Sequence, residues 1–311
     1  MASFVLFNYQ FSRIDGYRKD QYFDPSFSPI LMDSEESFPQ RQEILDKLFL
    51  DDFDKKNEIT FFRRNKIHVH KHLMRPTDHI IVFRLANKRV MTRTTEDLKK
   101  VEMDDYPYCH VIIDNRPGIQ RMALEIKKKA FQDVKTMANI ISETLNKYLN
   151  PYSLGIELFH LQDSRTFWTY VNDNINYYQG FYRVHFSLPY LNLERLQKTY
   201  NRLLTESRKM FDAKLDWDFT ANEGGKLNLD EKDERQNELI KWMMEDVGGE
   251  NIKLYPNDNR RRAIIVGKNS YDLIYLSDKT LQDIVIDFIN QKFIDSEALN
   301  EIKRKMKKNI G

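Results

Sequence analysis

Residues 110–149 read HVIIDNRPGIQRMALEIKKKAFQDVKTMANIISETLNKYL, and this stretch carries the clearest strand, turn and helix signals in the chain. Two runs rich in β-forming residues flank Asn115 to Gly118, where Pro117 presets one backbone angle and Gly118 tolerates a positive one. The stretch therefore predicts a β-hairpin followed by a helix. Apolar residues recur at helical spacing, which predicts that this helix docks on a sheet: Phe131, Val134, Ala138, Ile141, Leu145 and Leu149.

The rest of the composition is that of a globular chain with a heavily charged surface. Hydrophobic residues make up 41% of the 311 residues and charged residues 31%, while glycine and proline are scarce. Cys109 is the only cysteine, which excludes an internal disulfide and a cysteine-based zinc site. No run approaches the roughly 18 consecutive apolar residues of a transmembrane helix. We expect a cytoplasmic protein with no membrane partner.

Strand and helix signals alternate along the whole chain. Three strand candidates precede the hairpin, 58–64, 66–72 and 79–85, and a polar connection is predicted from Thr94 to Glu102. Strands alternate with helices after residue 154, and one of these helices is predicted to start at Asn192. The pattern predicts an α+β fold with mixed or antiparallel sheets and packed helices.

The acidic pair Asp104 and Asp105, followed by Pro107, gives the best boundary in the chain. It predicts a mostly β region over residues 1–104 and an α+β domain over residues 105–311 that ends in a basic helix. A single continuous domain is the alternative, because the connections are short.

Asp114, Glu125 and Lys127 on the two strands of the hairpin resemble the metal-dependent nuclease motif of the restriction-endonuclease-like superfamily. In that motif two acids hold a divalent metal ion and the lysine positions or activates water. Ile113 stands where a proline often precedes the first acid. The alternative is a half-exposed hairpin whose charged outer face pairs Glu125 with cationic neighbours.

His68, His70 and His72 alternate along a predicted strand. Alternate residues of a strand share a face, so the three imidazoles could converge on Zn²⁺ or another divalent ion. Asp78 is the only acid close to them in sequence. The alternative is a solvated strand face, which the surrounding lysines and arginine favour because cations oppose metal binding.

Basic clusters near aromatic residues suggest contacts with nucleic acid, since phosphates need cations and bases stack on rings. The candidate residues are Arg63, Arg64, Lys128, Lys129, Arg260, Arg261 and Arg262. No RNA-recognition signature, helix-turn-helix or zinc finger accompanies them, and a solvated surface is the alternative. Phosphate-binding glycine loops and the common hydrolase and kinase motifs are absent from the sequence.

The run VIIDNRPGIQ at residues 111–120, followed by MALE and the start of a helix, resembles an uncharacterised bacterial protein family associated with mobile-element and phage-defence neighbourhoods. The resemblance covers residues 105–170 and, more faintly, the first dozen residues. It implies a context for the protein and carries over no activity and no catalytic residue.

Together these features favour a non-enzymatic binding or sensing component, accessory to a phage-defence or mobile-element system. Its expected partners are nucleic acid, a partner protein or a second copy of the chain, and no cofactor is expected. The alternatives are a metal-dependent nuclease using Asp114, Glu125 and Lys127 with Mg²⁺ or Mn²⁺, and a structural subunit of a larger assembly.

Overall fold

The computed structural model describes residues 1–13, 37–188, 215–248, 251–257, 263–266, 271, 273–289 and 296–307. These residues form an α+β fold, which confirms the fold class predicted from the sequence. The predicted helix from Asn192 lies outside the described residues.

The helices of the described residues are α1 (Ser37–Phe53), α2 (Val134–Leu149), α3 (Ser164–Asn174), α4 (Glu234–Trp242), α5 (Asp278–Ile289) and α6 (Glu297–Met306). A short 3-10 helix (Asn150–Tyr152) follows α2, and a π-helical segment (Met243–Gly248) follows α4.

The strands are β1 (Ala2–Arg13), β2 (Phe61–Arg63), β3 (Lys66–His72), β4 (Ile80–Ala86), β5 (Arg89–Thr94), β6 (Lys100–Asp105), β7 (Tyr108–Asp114), β8 (Arg121–Glu125), β9 (Leu154–His160), β10 (Phe181–Leu188), β11 (Leu215–Thr220), β12 (Ile252–Pro256), β13 (Ile264–Ile265) and β14 (Leu273–Leu276).

Three sheets contain these strands. The largest has the order β14-β1-β8-β7-β4-β3-β2, with β9 also paired to β1; the second has the order β11-β10-β12-β13; and β5 pairs with β6 alone. The pairings whose registers are defined are all antiparallel.

The β5–β6 hairpin replaces the polar connection predicted from Thr94 to Glu102. That prediction failed because almost every residue of the hairpin is exposed, so no burial pattern marks the strands.

The chain divides into two compact units. The first contains residues 1–5, 13–157 and 273–310, and the second contains residues 6–12, 158–272 and 311. Asp104 and Asp105, where the sequence places its best boundary, both lie within the first unit.

None of the helices in the described ranges has the length and hydropathy needed to span a bilayer.

The hairpin of β7 and β8 forms as the sequence predicts. The amide of Ile119 donates to the carbonyl of Arg116 at 3.0 Å, and Gly118 adopts a φ of +70°. A type II turn favours proline at its second position and requires a positive φ, hence usually glycine, at its third position. The alternative of a half-exposed hairpin with a charged outer face is wrong in its exposure, because all five residues of β8 are buried, Arg121 among them.

Two arginines of the hairpin donate hydrogen bonds to backbone carbonyls of α6. Arg121 Nη1 donates to the carbonyl of Met306 at 2.9 Å, and Arg116 Nη2 donates to the carbonyl of Lys303 at 3.1 Å. Both carbonyls belong to the last turn of α6, where helical carbonyls have no partner within the helix. The hairpin thus supplies cationic donors to the negative end of this helix.

Helix α2 packs on the sheet as predicted. Its amino end is capped by Asp133, whose Oδ1 accepts from the amide of Thr136 at 2.5 Å. Its buried face contacts β2 and β8 and consists of Val134, Met137, Ala138, Ile140, Ile141, Thr144, Leu145 and Leu149. The hairpin and its following helix are therefore a core-building part of the first unit.

The second unit has its own apolar core around β10, β12, α3 and α4, with Phe167, Trp168 and Val184 among its buried residues. Helix α3 has no counterpart among the sequence predictions. Only Phe167, Trp168 and Val171 are buried along it, and this short stripe is a weak helical signal.

The turn of the hairpin provides a test of the fold. Replacing Gly118 with alanine places a Cβ on a residue at φ +70°, which should lower the free energy of unfolding by about 1–2 kcal/mol. Gly118→Asn should cost less, because asparagine tolerates the left-handed region. Urea denaturation of both variants measures the difference. Equal stability of wild type and Gly118→Ala would contradict the assigned turn.

Candidate functional site

The three residues of the nuclease hypothesis do not converge. Asp114 pairs in register with Arg121, whereas Glu125 lies four residues further along β8, beside His110. At ~3.4 Å per residue the two carboxylates are separated by roughly 14 Å along the strands. Ligands of one Mg²⁺ ion lie roughly 2.0–2.1 Å from the metal, so these carboxylates cannot share an ion in this arrangement.

Each of the three side chains also has a partner of its own. Arg116 holds Asp114 through two hydrogen bonds, Nε to Oδ1 at 2.9 Å and Nη2 to Oδ2 at 2.6 Å. Glu125 Oε2 accepts from the backbone amide of His110 and contacts its Nδ1, both at 2.8 Å. Lys127 Nζ lies 4.4 Å from the centroid of the Tyr108 ring. These contacts stabilise the hairpin and leave no common site.

Burial raises the pKa of Glu125, and the hydrogen bonds from the side chain and backbone of His110 lower it by more, so its pKa lies below the usual value. A carboxyl group whose pKa is lower in the folded than in the unfolded chain stabilises the fold above the unfolded pKa. That contribution disappears as the pH falls through the folded pKa.

We therefore expect Glu125→Gln to lower the free energy of unfolding by about 1–3 kcal/mol at pH 7, because the variant removes a buried charge-assisted hydrogen bond. The deficit should shrink as the pH is lowered from 5 to 3. Denaturant unfolding across this range measures it, with Glu143→Gln, at an exposed carboxylate, as the control. A deficit that is constant with pH would contradict the assigned pairing.

Strand β3 has an unusual distribution of side chains. His68, His70 and His72 lie on its inward face, whereas Ile67 and Val69 are 64% and 52% exposed. The histidines occupy positions that apolar residues fill in most strands that have one wet face. The predicted shared face is therefore present, but the three imidazoles have different surroundings.

His70 and His72 converge on Asp52, near the end of α1. The Nε2 atoms of His70 and His72 lie 2.6 Å and 2.7 Å from Asp52 Oδ2. The other oxygen, Oδ1, accepts from the amide of Ile59 at 2.7 Å. Burial raises the pKa of Asp52, and the hydrogen bonds from His70, His72 and Ile59 lower it by more, so the group is held ionised.

Asp52 was not among the candidates from the sequence, because it lies 18 residues before His70. A signal was present, however. Asp52 follows Leu45 by seven residues and Phe49 by three, which places a carboxylate on the apolar stripe of α1. A buried acid on such a stripe requires a polar partner, and the histidines of β3 provide it.

The same helix makes a second contact of this kind. Asp46 Oδ2 lies 2.5 Å from His79 Nδ1, and Asp46 Oδ1 accepts from Asn115 Nδ2 at 2.8 Å. Burial raises the pKa of Asp46 more than its hydrogen bonds to Asn115 and His79 lower it. Helix α1 is thus joined to the sheet by two separate histidine–carboxylate contacts.

His68 is separate from the Asp52 cluster. Its ring centroid lies 5.6 Å from that of Phe131, and its buried Nδ1 has no hydrogen-bond partner among the described residues. Burial and the nearby Lys66 lower the pKa of His68 below its usual value, so the imidazole is neutral at neutral pH.

His68 lines an open groove of about 700 Å³ in the first unit, which we call the basic groove. Its lining residues are Arg63, Arg64, Asn65, Lys66, His68, Asn87, Arg89, Phe131, Gln132, Thr136 and Ile140. Four of them are permanent cations and none is a carboxylate. Arg63 has an acidic neighbour, Glu143, at 3.6 Å, and Arg64 occupies the turn between β2 and β3.

Lys128 and Lys129 lie in the turn that leads to Phe131. The amide of Ala130 donates to the carbonyl of Lys127 at 2.8 Å, and both lysines are exposed. Asn87 and Arg89 donate to the carbonyl of Ala130 at 2.8 Å and 3.1 Å, which ties this turn to the groove. Four of the seven predicted nucleic-acid contacts therefore line or adjoin one groove, while Arg260, Arg261 and Arg262 lie outside the described residues.

The chain matches no protein-family model, no curated protein and no solved structure.

Proposed function

We propose that the protein is a non-enzymatic binding protein whose basic groove takes the phosphate backbone of a nucleic acid. The observation that carries the proposal is the lining of the groove, which has Arg63, Arg64, Lys66 and Arg89 and no carboxylate. Glu143, 3.6 Å from Arg63, offsets one of these four charges, and a polyanion would relieve the repulsion among the others. Release of counterions from the nucleic acid adds to the binding free energy.

The uncharged lining residues support the same ligand. Asn65 and Gln132 carry amide groups of the kind that bind phosphate and sugar oxygens. Phe131 is only 4% exposed and packs beside His68, so it offers no free ring for base stacking. Contacts in the groove therefore favour the backbone over the bases, and binding is expected to depend weakly on sequence.

The resemblance of residues 105–170 to a family from mobile-element and phage-defence neighbourhoods supports a cellular role for this binding. In that role the protein is an accessory or sensing component that acts in the cytoplasm. It meets a partner protein or a second copy of the chain while the groove holds the nucleic acid.

Fluorescence anisotropy with labelled single-stranded DNA, double-stranded DNA and RNA of one length, over a salt series, tests the proposal. We expect the wild-type affinity to fall steeply with salt. Arg64→Ala combined with Lys66→Ala should reduce the slope of log K against log salt by roughly 1.4–1.8, because each phosphate that the protein no longer neutralises removes about 0.7–0.9 from the slope.

Lys71→Ala is the matched control, because Lys71 lies on β3 between His70 and His72 and is exposed on the opposite face. It should leave the salt slope unchanged. Absence of binding by the wild type at low salt would overturn the proposal. A decrease of roughly 0.7–0.9 in Lys71→Ala, half of that expected for the double variant, would assign binding to general surface charge instead of the groove.

A further inference from the structure

The cluster of Asp52, His70 and His72 lies apart from the residues of the basic groove and has a different chemistry. Two imidazole nitrogens and one carboxylate oxygen converge, and all three candidate ligand atoms lie within 4.8 Å of one another. No other group of three or more such side chains in the described parts of the chain does so. The three residues come from a helix and a strand, so the convergence requires the tertiary fold.

The carboxylate of this cluster has no lysine or arginine beside it among the described residues. The side chain of Asp52 is 2% exposed, and its partners are the two imidazoles and a backbone amide. No lysine or arginine of the described residues pairs with Asp52; the nearby Arg75 and Lys56 pair with Asp54 instead. The buried, ionised carboxylate of Asp52 and the two imidazole nitrogens beside it form a donor set of the kind that binds a divalent cation.

The surroundings of the cluster are apolar and hold the carboxylate of Asp52 in place. Ile59 fixes the second oxygen of Asp52, which sets the orientation of the carboxylate. The rings of Phe49, Phe53, Phe61 and Phe83 lie with their centroids 4.9–6.2 Å from those of His70 or His72. An apolar shell of this kind strengthens electrostatic interactions inside it and restricts water. His70 remains 15% exposed and gives an ion a path of entry.

We propose that Asp52, His70 and His72 bind a divalent transition-metal ion of the zinc class through Oδ2 and the two Nε2 atoms. Two histidines and one carboxylate are a familiar ligand set for zinc sites that keep a further position for water. Nitrogen donors disfavour Mg²⁺, which prefers oxygen ligands.

Binding requires a small rearrangement. Tetrahedral ligands roughly 2.0–2.1 Å from zinc lie about 3.3 Å apart, so the 2.6–2.7 Å contacts must open by about 0.6 Å. An imidazole that binds the metal through Nε2 carries its remaining proton on Nδ1, so the proton between Nε2 and Asp52 must leave that nitrogen when the ion binds. Nδ1 of His72 is buried and has no hydrogen-bond partner among the described residues, so the change breaks no hydrogen bond there, but the new Nδ1–H lacks an acceptor and the metal bonds must offset its cost.

The experiment uses tag-free full-length protein that has been treated with a chelator and returned to metal-free buffer. Isothermal titration with Zn²⁺, together with elemental analysis after gel filtration, should give one bound equivalent. Co²⁺ should produce visible absorption bands of a low-coordinate site, and Mg²⁺ should not compete. Failure to retain Zn²⁺, or equal binding of Mg²⁺, would overturn the proposal.

Variants locate the ion. His70→Gln and His72→Gln should weaken Zn²⁺ binding by more than the roughly 10–100-fold that loss of an outer-shell partner costs. His79→Gln is the matched control, because His79 contacts Asp46 on the same helix and is outside the cluster. Unchanged binding in both cluster variants would place the ion elsewhere.

A measurement on the wild type makes the test independent of whether the variants fold. Diethylpyrocarbonate modifies accessible imidazoles, and mass spectrometry identifies the labelled residue. Zn²⁺ should protect His70 and leave the labelling of His79, which is 38% exposed at its side chain, unchanged. Labelling of His70 that is unaffected by saturating Zn²⁺ would overturn the proposal.

Discussion

The inward orientation of the histidines on β3 is the constraint on which both candidate sites depend. Side chains of a strand alternate between its faces, so one register places His68, His70 and His72 inward and exposes Ile67 and Val69. A slip by one residue would bury the apolar pair and expose the imidazoles. The contacts of Asp52 with His70 and His72 oppose that slip, because they hold the strand in register with helix α1. His68, on the same face, lines the basic groove.

The charges of the β7–β8 hairpin serve a different purpose from the one that their spacing in the sequence suggests. Asp114 holds Arg116, Glu125 holds His110, and Arg121 reaches the carbonyl end of α6. Each of these buried charges thereby has a polar partner within the first unit, as burial in a low-dielectric interior demands. In contrast, the lining of the basic groove holds four cations and no carboxylate, and Glu143 just outside the lining pairs with Arg63. This difference in charge balance separates structural charges from those available to a ligand.

Local patterns in the sequence predicted the features that depend on local chemistry. Pro117 and Gly118 specified the turn, the apolar stripe specified the docking of α2, and alternation placed the three histidines on one face. The pairing of His70 with Asp52 could not be predicted in the same way, because it depends on how α1 packs against β3. The distance between Asp114 and Glu125 could not be predicted either, because it depends on the register of β7 and β8. That register holds the two carboxylates roughly 14 Å apart. Strands β5 and β6 could not be recognised from the sequence, because almost all of their residues are exposed and no alternation of buried and exposed positions marks them.

Both proposals place a ligand beside β3, a polyanion in the groove that His68 lines and a metal ion at His70 and His72. Long-range ¹H–¹⁵N correlation spectra of protein labelled at its seven histidines report the tautomer and environment of each ring in one sample. Addition of an oligonucleotide should shift the resonances of His68 and leave those of His70 and His72 in place, while Zn²⁺ should do the reverse. Ligand-induced shifts of all three rings together, or of none, would contradict this division of the strand.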